Sequence, residues 1–196
     1  MRFITFFVAA LLASSVGYAE THTHTDSEKS RAEEDVEVVV EPHQTVVQVN
    51  GVVCSFCAYG AEKSLAKLDG LDTAQFGNGV LIDINTHRIT LAMVPGKRIP
   101  LRDIYNRIKK AGYDPVAFYL RVSGSLERSG ANLLLRDADS GQVYSITGVS
   151  GAPRGTGESV EVQVHVDGEK DATSSDGEPV SVVVDRWISE AAADNG

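Results

Sequence analysis

The chain has two cysteines in 196 residues, Cys54 and Cys57, and they stand two residues apart where strand texture gives way to helix texture. Val46-Val47-Gln48-Val49 ahead of them carries strand-forming residues. Ala61, Leu65 and Leu68 behind them recur at intervals of three and four, which is helix spacing. A bridge between residues this close would close almost no loop and constrain little of the unfolded chain, so stapling is a poor reason for the pair. Two thiols so placed can chelate one soft metal ion, or exchange electrons as a dithiol/disulfide pair.

The chain's start bears on which chemistry applies. Met1 to Ala19 reads as an export signal: Arg2 is the positive start, Phe3 to Ala13 the apolar run, and Gly17-Tyr18-Ala19 the peptidase site. An apolar run of roughly 11 residues is too short to span a bilayer, and no second stretch approaches a span. A periplasmic or secreted location is expected, where the pair tends toward a disulfide unless metal or a reductant keeps it open. Residues 20–44 are expected to form an acidic, flexible leader. His22 and His24 alternate with threonines there, a weak copper or zinc site together with the free amine, or an incidental polar tail.

Charge is uneven. Glu20 to Glu41 holds eight acids against Lys29 and Arg31, whereas Pro42 to Leu120 holds nine Lys and Arg against six acids. From Glu158 onward ten acids face Lys170 and Arg186. Nonspecific nucleic-acid binding wants a sustained basic face, which this pattern lacks. A mildly positive dithiol region suits thiolate stabilisation or docking on an acidic partner.

Along the chain, a strand over Val46–Val53 leads to a helix over Ser55–Leu68, ended by Asp69-Gly70. Strands over residues 79–84 and 88–93 are joined by a turn at Asn85-Thr86-His87. Leu101, Ile104, Ile108 and Ala111 give a second helix its apolar face, which stops at Gly112, and Val116–Leu120 supplies a last strand that either ends there or runs straight into the next domain. The expected class is α+β, with a ferredoxin-like βαββαβ domain over residues 45–120. Right-handed crossovers then bring Cys54, Cys57, His87 and Tyr113 to one end. Beyond Leu120 the alternation in Val160–Val166 and four further short runs predict five strands, a small all-β barrel over 121–190 with a flexible tail at 191–196.

On these residues the first domain resembles the heavy-metal-associated family, which includes copper chaperones and the periplasmic mercury-binding protein. The resemblance covers about Val46 to Leu120. It rests on a glycine before the site, Cys54-x-x-Cys57, Ala61 and Leu65, Leu68-Asp69-Gly70-Leu71, and Lys110-Ala111-Gly112-Tyr113. It implies Cys54 and Cys57 as metal ligands and Tyr113 as the aromatic shielding the metal. Family members carry methionine two residues before the first cysteine, where this chain has Val52. Phe56, between the cysteines, can shield metal or offer a docking contact. The second domain resembles, more loosely, small OB-like barrels, with Leu135–Asp137 and Gly141–Tyr144 as a structural hairpin.

Two thiolates suit near-linear coordination of Cu(I), the preferred ion, or of Hg(II). Zinc normally takes four ligands. His87 can supply a third ligand, or is a polar turn residue. The expected role is a Cu(I) carrier or sensor, not an enzyme, that passes its ion by ligand exchange to a metalloprotein or transporter with a dithiol or thioether site. In the redox alternative Cys54 attacks a disulfide and Cys57 resolves it, but a thioredoxin-like context of parallel sheet and cis-proline loop is not evident. A third alternative is an adaptor whose cysteines are idle. No Ser/His/Asp set, phosphate loop, carboxylate pair, stacking-aromatic cluster or membrane span stands out.

Overall fold

The computed structural model describes residues 37–51, 55–150, 155–173 and 177–190, all within one compact unit beginning at Glu37. The chain order is β1 (Gln44–Asn50), α1 (Ser55–Leu65), β2 (Val80–Asp83), β3 (Arg88–Ala92), α2 (Leu101–Lys110), β4 (Asp114–Ser129), β5 (Asn132–Asp137), β6 (Val143–Val149), β7 (Ser159–Asp167) and β8 (Val180–Glu190). The first half is a ferredoxin-like β-α-β-β-α unit whose strands lie in the order β2-β3-β1-β4, each pair antiparallel. The helices pack on each other, α1 also on β2 and α2 on β4. Val47, Val49, Ala61, Leu65, Ile104, Ile108 and Phe118 join one buried core.

Both helices form where the spacing predicts them. The first stops as regular helix at Leu65, three residues earlier than expected. There the chain tightens to i→i−3 bonding, with the Leu68 N–H donating to the Leu65 carbonyl at 2.8 Å. That tightening drops Leu68 into the core ahead of Gly70, whose φ of 85° suits only a residue without a side chain.

Strand β4 carries the strand expected before Leu120 straight into the C-terminal half, the second of the two courses open to it. It runs unbroken for sixteen residues. Phe118, Leu120, Val122 and Leu126 are all buried at even spacing, so the period of two runs straight through Leu120, and its one irregularity is Val116, unpaired with β1 near the start of the strand. Ala117 to Leu120 pair with β1 on one edge and β7 on the other. Further along, β4 pairs with β5 and still with β7. Gly124 lies against the β5 backbone so closely that a Cβ there would stand 1.9 Å from the Arg136 carbonyl oxygen.

The remainder is all β. Strands β5 and β6 form an antiparallel hairpin, β6 pairs with β8 in parallel, and β8 pairs antiparallel with β7, which returns to β4. Among its buried side chains are Leu135, Tyr144, Val162, Val164, Val182 and Val184.

The segment expected to be a free leader up to residue 44 is not free at its end. Val40 is fully buried, its N–H donates to Gln163 Oε1 at 3.2 Å, and Gln163 Nε2 donates to the Val38 carbonyl at 2.7 Å. One side-chain amide thus takes the place of a strand neighbour for Val38–Val40. Residues 1–36, including the expected signal, His22 and His24, and the 191–196 tail lie outside the described residues. Among the described residues no helix is long and apolar enough to cross a membrane.

Candidate metal centre

The loop holding the cysteines leaves the end of β1. Its register with β4 shifts between Gln48 and Val49, where β4 carries the extra residue Val116, and this sets Asn50 opposite Asp114 of β4. Gly51 follows with φ 93°, a left-handed turn that glycine makes without steric cost. A Cβ on Gly51 would lie 3.7 Å from both the Gly112 carbonyl oxygen and Tyr113 Cδ1, so Gly51 itself lies against the end of α2.

That helix end is built to deliver Tyr113. After the last helical residue, Ala111 and Gly112 turn the chain: the Gly112 N–H donates to the Lys109 carbonyl and the Tyr113 N–H to the Ile108 carbonyl. This is the paired closure that a glycine with φ 90° permits. Tyr113 is 3% exposed, belongs to the core and lies beside Gly51.

The β2–β3 turn reaches the same end. The Val49 N–H donates to the His87 carbonyl at 3.0 Å, and Gln48 Nε2 donates to the Thr86 and His87 carbonyls. His87 is exposed and holds φ 54°, an unusual conformation for a residue with a side chain. Gly51, His87 and Tyr113 therefore gather at one end of the sheet. Cys54 falls outside the described residues. Cys57 occupies the first turn of α1, and its side chain, like that of Phe56, lies outside what is described.

The electrostatic setting follows from the backbone. The first N–H groups of a helix have no partner within it, and their partial positive charge favours an anion. The first turn of α1 contains no carboxylate to compete for that role. Near Asn50, Lys109 pairs with Asp114, and that bond and charge hold the ammonium pKa above its usual value. In the β2–β3 turn, hydrogen bonds from the Thr86 hydroxyl and the Asn85 N–H hold the Asp83 carboxyl below its usual range.

Sequence reasoning did not mark Tyr59 and Lys63, although their i, i+4 spacing on one helix was the available signal. Tyr59 is exposed two residues past Cys57, with Lys63 Nζ 5.0 Å from its ring centroid. Among the described residues, no three His, Cys, Asp or Glu side chains are grouped to hold a metal ion.

No protein-family model matches the chain, and no curated protein matches it. It is similar to a solved structure described as the CopZ metallochaperone, at 19% identity and a TM-score of 0.32, over 37% of this chain and 98% of that one. A likeness of that size carries no functional argument, which falls to the residues themselves.

Proposed function

We propose that the chain is an exported, non-catalytic carrier of a soft metal ion, Cu(I) foremost and Hg(II) by the same chemistry, bound between the thiolates of Cys54 and Cys57. The observation that carries this reading is the place of Cys57 in the first turn of α1, directly after β1 and Gly51. Unpaired helix N–H groups there favour thiolate over thiol. Two soft ligands hold a soft ion in near-linear geometry and leave it open to attack. A thiolate or thioether of a recipient metalloprotein or transporter enters as third ligand, a cysteine of the donor leaves, and the ion crosses without being released to water. Tyr113, buried beside Gly51, is the aromatic that would shield the ion. Phe56 and His87 are the neighbours that would screen the ion or add a third donor.

In the C-terminal half, pairing in the circuit β4-β5-β6-β8-β7-β4 supports a small closed OB-like barrel, with one parallel contact between β6 and β8. We assign it a positioning role beside the metal unit. The barrel strands lack the cluster of stacking aromatics that single-stranded nucleic-acid binders use.

Anaerobic titration of the reduced protein against a competing Cu(I) chelator tests the site. One Cu(I) per chain, lost when both cysteines are changed to serine, is the expected result. Equal retention by the double-serine protein would overturn it. Fast disulfide exchange with negligible copper affinity would instead assign the pair to redox chemistry.

A further inference from the structure

We propose that the groove between α1 and α2 is a docking site for an acidic amphipathic helix of another protein. This surface does not depend on the cysteines or on the metal reading.

Charge is the first observation. A cavity of about 870 Å³ between the helices is lined by Lys63, Lys67, Arg107 and Lys110, and it adjoins a second of about 510 Å³ where Lys67 and Arg107 meet Lys97 and Arg98. Six of the nine basic residues between Pro42 and Leu120 therefore line one trough. Among the described residues Lys67, Lys97, Arg98 and Lys110 make no ion pair, whereas Lys109, Arg121, Arg136 and Arg186 outside it each meet a carboxylate. Arg107 is held in place by donating to the Ser64 carbonyl at 2.7 Å and the Lys67 carbonyl at 3.5 Å. Unneutralised charge in a concave surface concentrates an attractive field for an anionic partner.

The second observation is Gly60, in the middle of α1 on the wall of this groove. Glycine inside a helix costs about 0.5–1 kcal/mol relative to alanine. Internal packing gives no reason for it, because a Cβ there would meet nothing within 4 Å. With Ala61 and Ala111 beside it, Gly60 makes a floor on which the backbone of a third helix can lie close.

Spacing identifies the occupant. Lys63 stands in the last turn of α1 and Lys67 in the turn just past its end, and Arg107 and Lys110 stand at i, i+3 on α2, two cationic rails on either side of the small floor. Their complement is a helix with small residues toward Gly60 and Asp or Glu along both flanks. Asp69 and Asp103 also line the trough, which disfavours a continuous phosphate backbone, and a concave surface fits a membrane poorly.

The test uses the reduced, metal-free full chain and a labelled synthetic helix of about twenty residues, alanine-rich with glutamates in two flanking columns. Saturable binding is expected, weakening by roughly tenfold between about 0.05 and 0.3 M salt. The pair Lys67→Glu and Lys110→Glu is expected to weaken it by about tenfold or more. Gly60→Leu is expected to block it without lowering Tm, and the double-serine protein to bind as the parent does. No saturable binding, or undiminished binding by the Gly60→Leu and charge-reversed proteins, would overturn the proposal. Stronger binding to phosphatidylglycerol vesicles or to a single-stranded oligonucleotide than to the helix would overturn it too.

Discussion

Gln142 makes both hydrogen bonds of its side-chain amide to one residue, Ile99. Oε1 accepts from the Ile99 N–H at 2.9 Å, and Nε2 donates to the Ile99 carbonyl at 3.4 Å. Gln142 is buried in the turn between β5 and β6, and Ile99 stands two residues ahead of α2. Pro100, which follows, offers the start of the helix no N–H and no side-chain cap. The amide therefore fixes the approach to α2 from the far half of the chain.

Replacing Gln142 with leucine keeps the bulk and removes both bonds. The Ile99 carbonyl keeps the Leu101 N–H at 3.0 Å, and leaving the partly buried Ile99 N–H unpaired costs about 1–3 kcal/mol. The urea midpoint is expected to fall by that equivalent, with faster hydrogen exchange at the Ile99 amide. Unchanged exchange there would show that the clamp contributes nothing.

Tyr144 carries the pH prediction. Its side chain is fully buried, and its hydroxyl has no hydrogen-bond partner among the described residues. Burial, helped by the charge of Asp137 and opposed by Arg98, pushes the phenol pKa well above its usual value. The folded state therefore holds this proton more tightly than the unfolded state. Its contribution to stability is complete below the unfolded tyrosine pKa of about 10 and declines as pH rises beyond it. Tyr144→Phe removes the titration, so the variant's Tm is expected to fall less steeply than the parent's above that pH. At neutral pH the variant should match or exceed the parent by up to about 1 kcal/mol, since an unpaired buried hydroxyl is lost. An equally steep alkaline decline in both proteins would refute the assignment.

His87 separates backbone from ligand chemistry. Asparagine adopts positive φ more readily than most residues with a side chain. His87→Asn is expected to preserve the turn, with stability within about 0.5 kcal/mol of the parent. Cu(I) affinity in the chelator competition is expected to stay the same, because the two thiolates carry the binding. A loss of affinity with unchanged Tm would make the imidazole a third ligand.

Much of the fold was legible because it is local. The period of two in Val160–Val166 and the three-and-four spacing after Cys57 depend only on neighbours along the chain, and β7 and α1 stand where those patterns put them. The parallel contact of β6 with β8, the clamp of Gln163 on Val38–Val40 and that of Gln142 on Ile99 join residues far apart in sequence. A buried glutamine looks like any polar residue until its partner is known. At the candidate site, Gly112 was legible as the stop of the second helix and Gly51 as a glycine ahead of the cysteines. That they face each other beside Tyr113 depends on how β1 pairs with β4, which no local pattern encodes.

Sixteen residues of extended chain make β4 a rod about 50 Å long. The same rod edges the ferredoxin-like sheet and begins the all-β circuit, so the molecule has no hinge at Leu120. A force applied to the C-terminal strands would be transmitted along covalent backbone to Asp114, beside the loop that leaves Gly51, without crossing a flexible joint. Expression of either half alone would leave a strand's worth of amides and carbonyls without a neighbour, an invitation to self-association. Engineers who wish to graft the cysteine-bearing unit onto another protein will therefore have to carry the whole of β4 with it, or give its exposed edge a new partner.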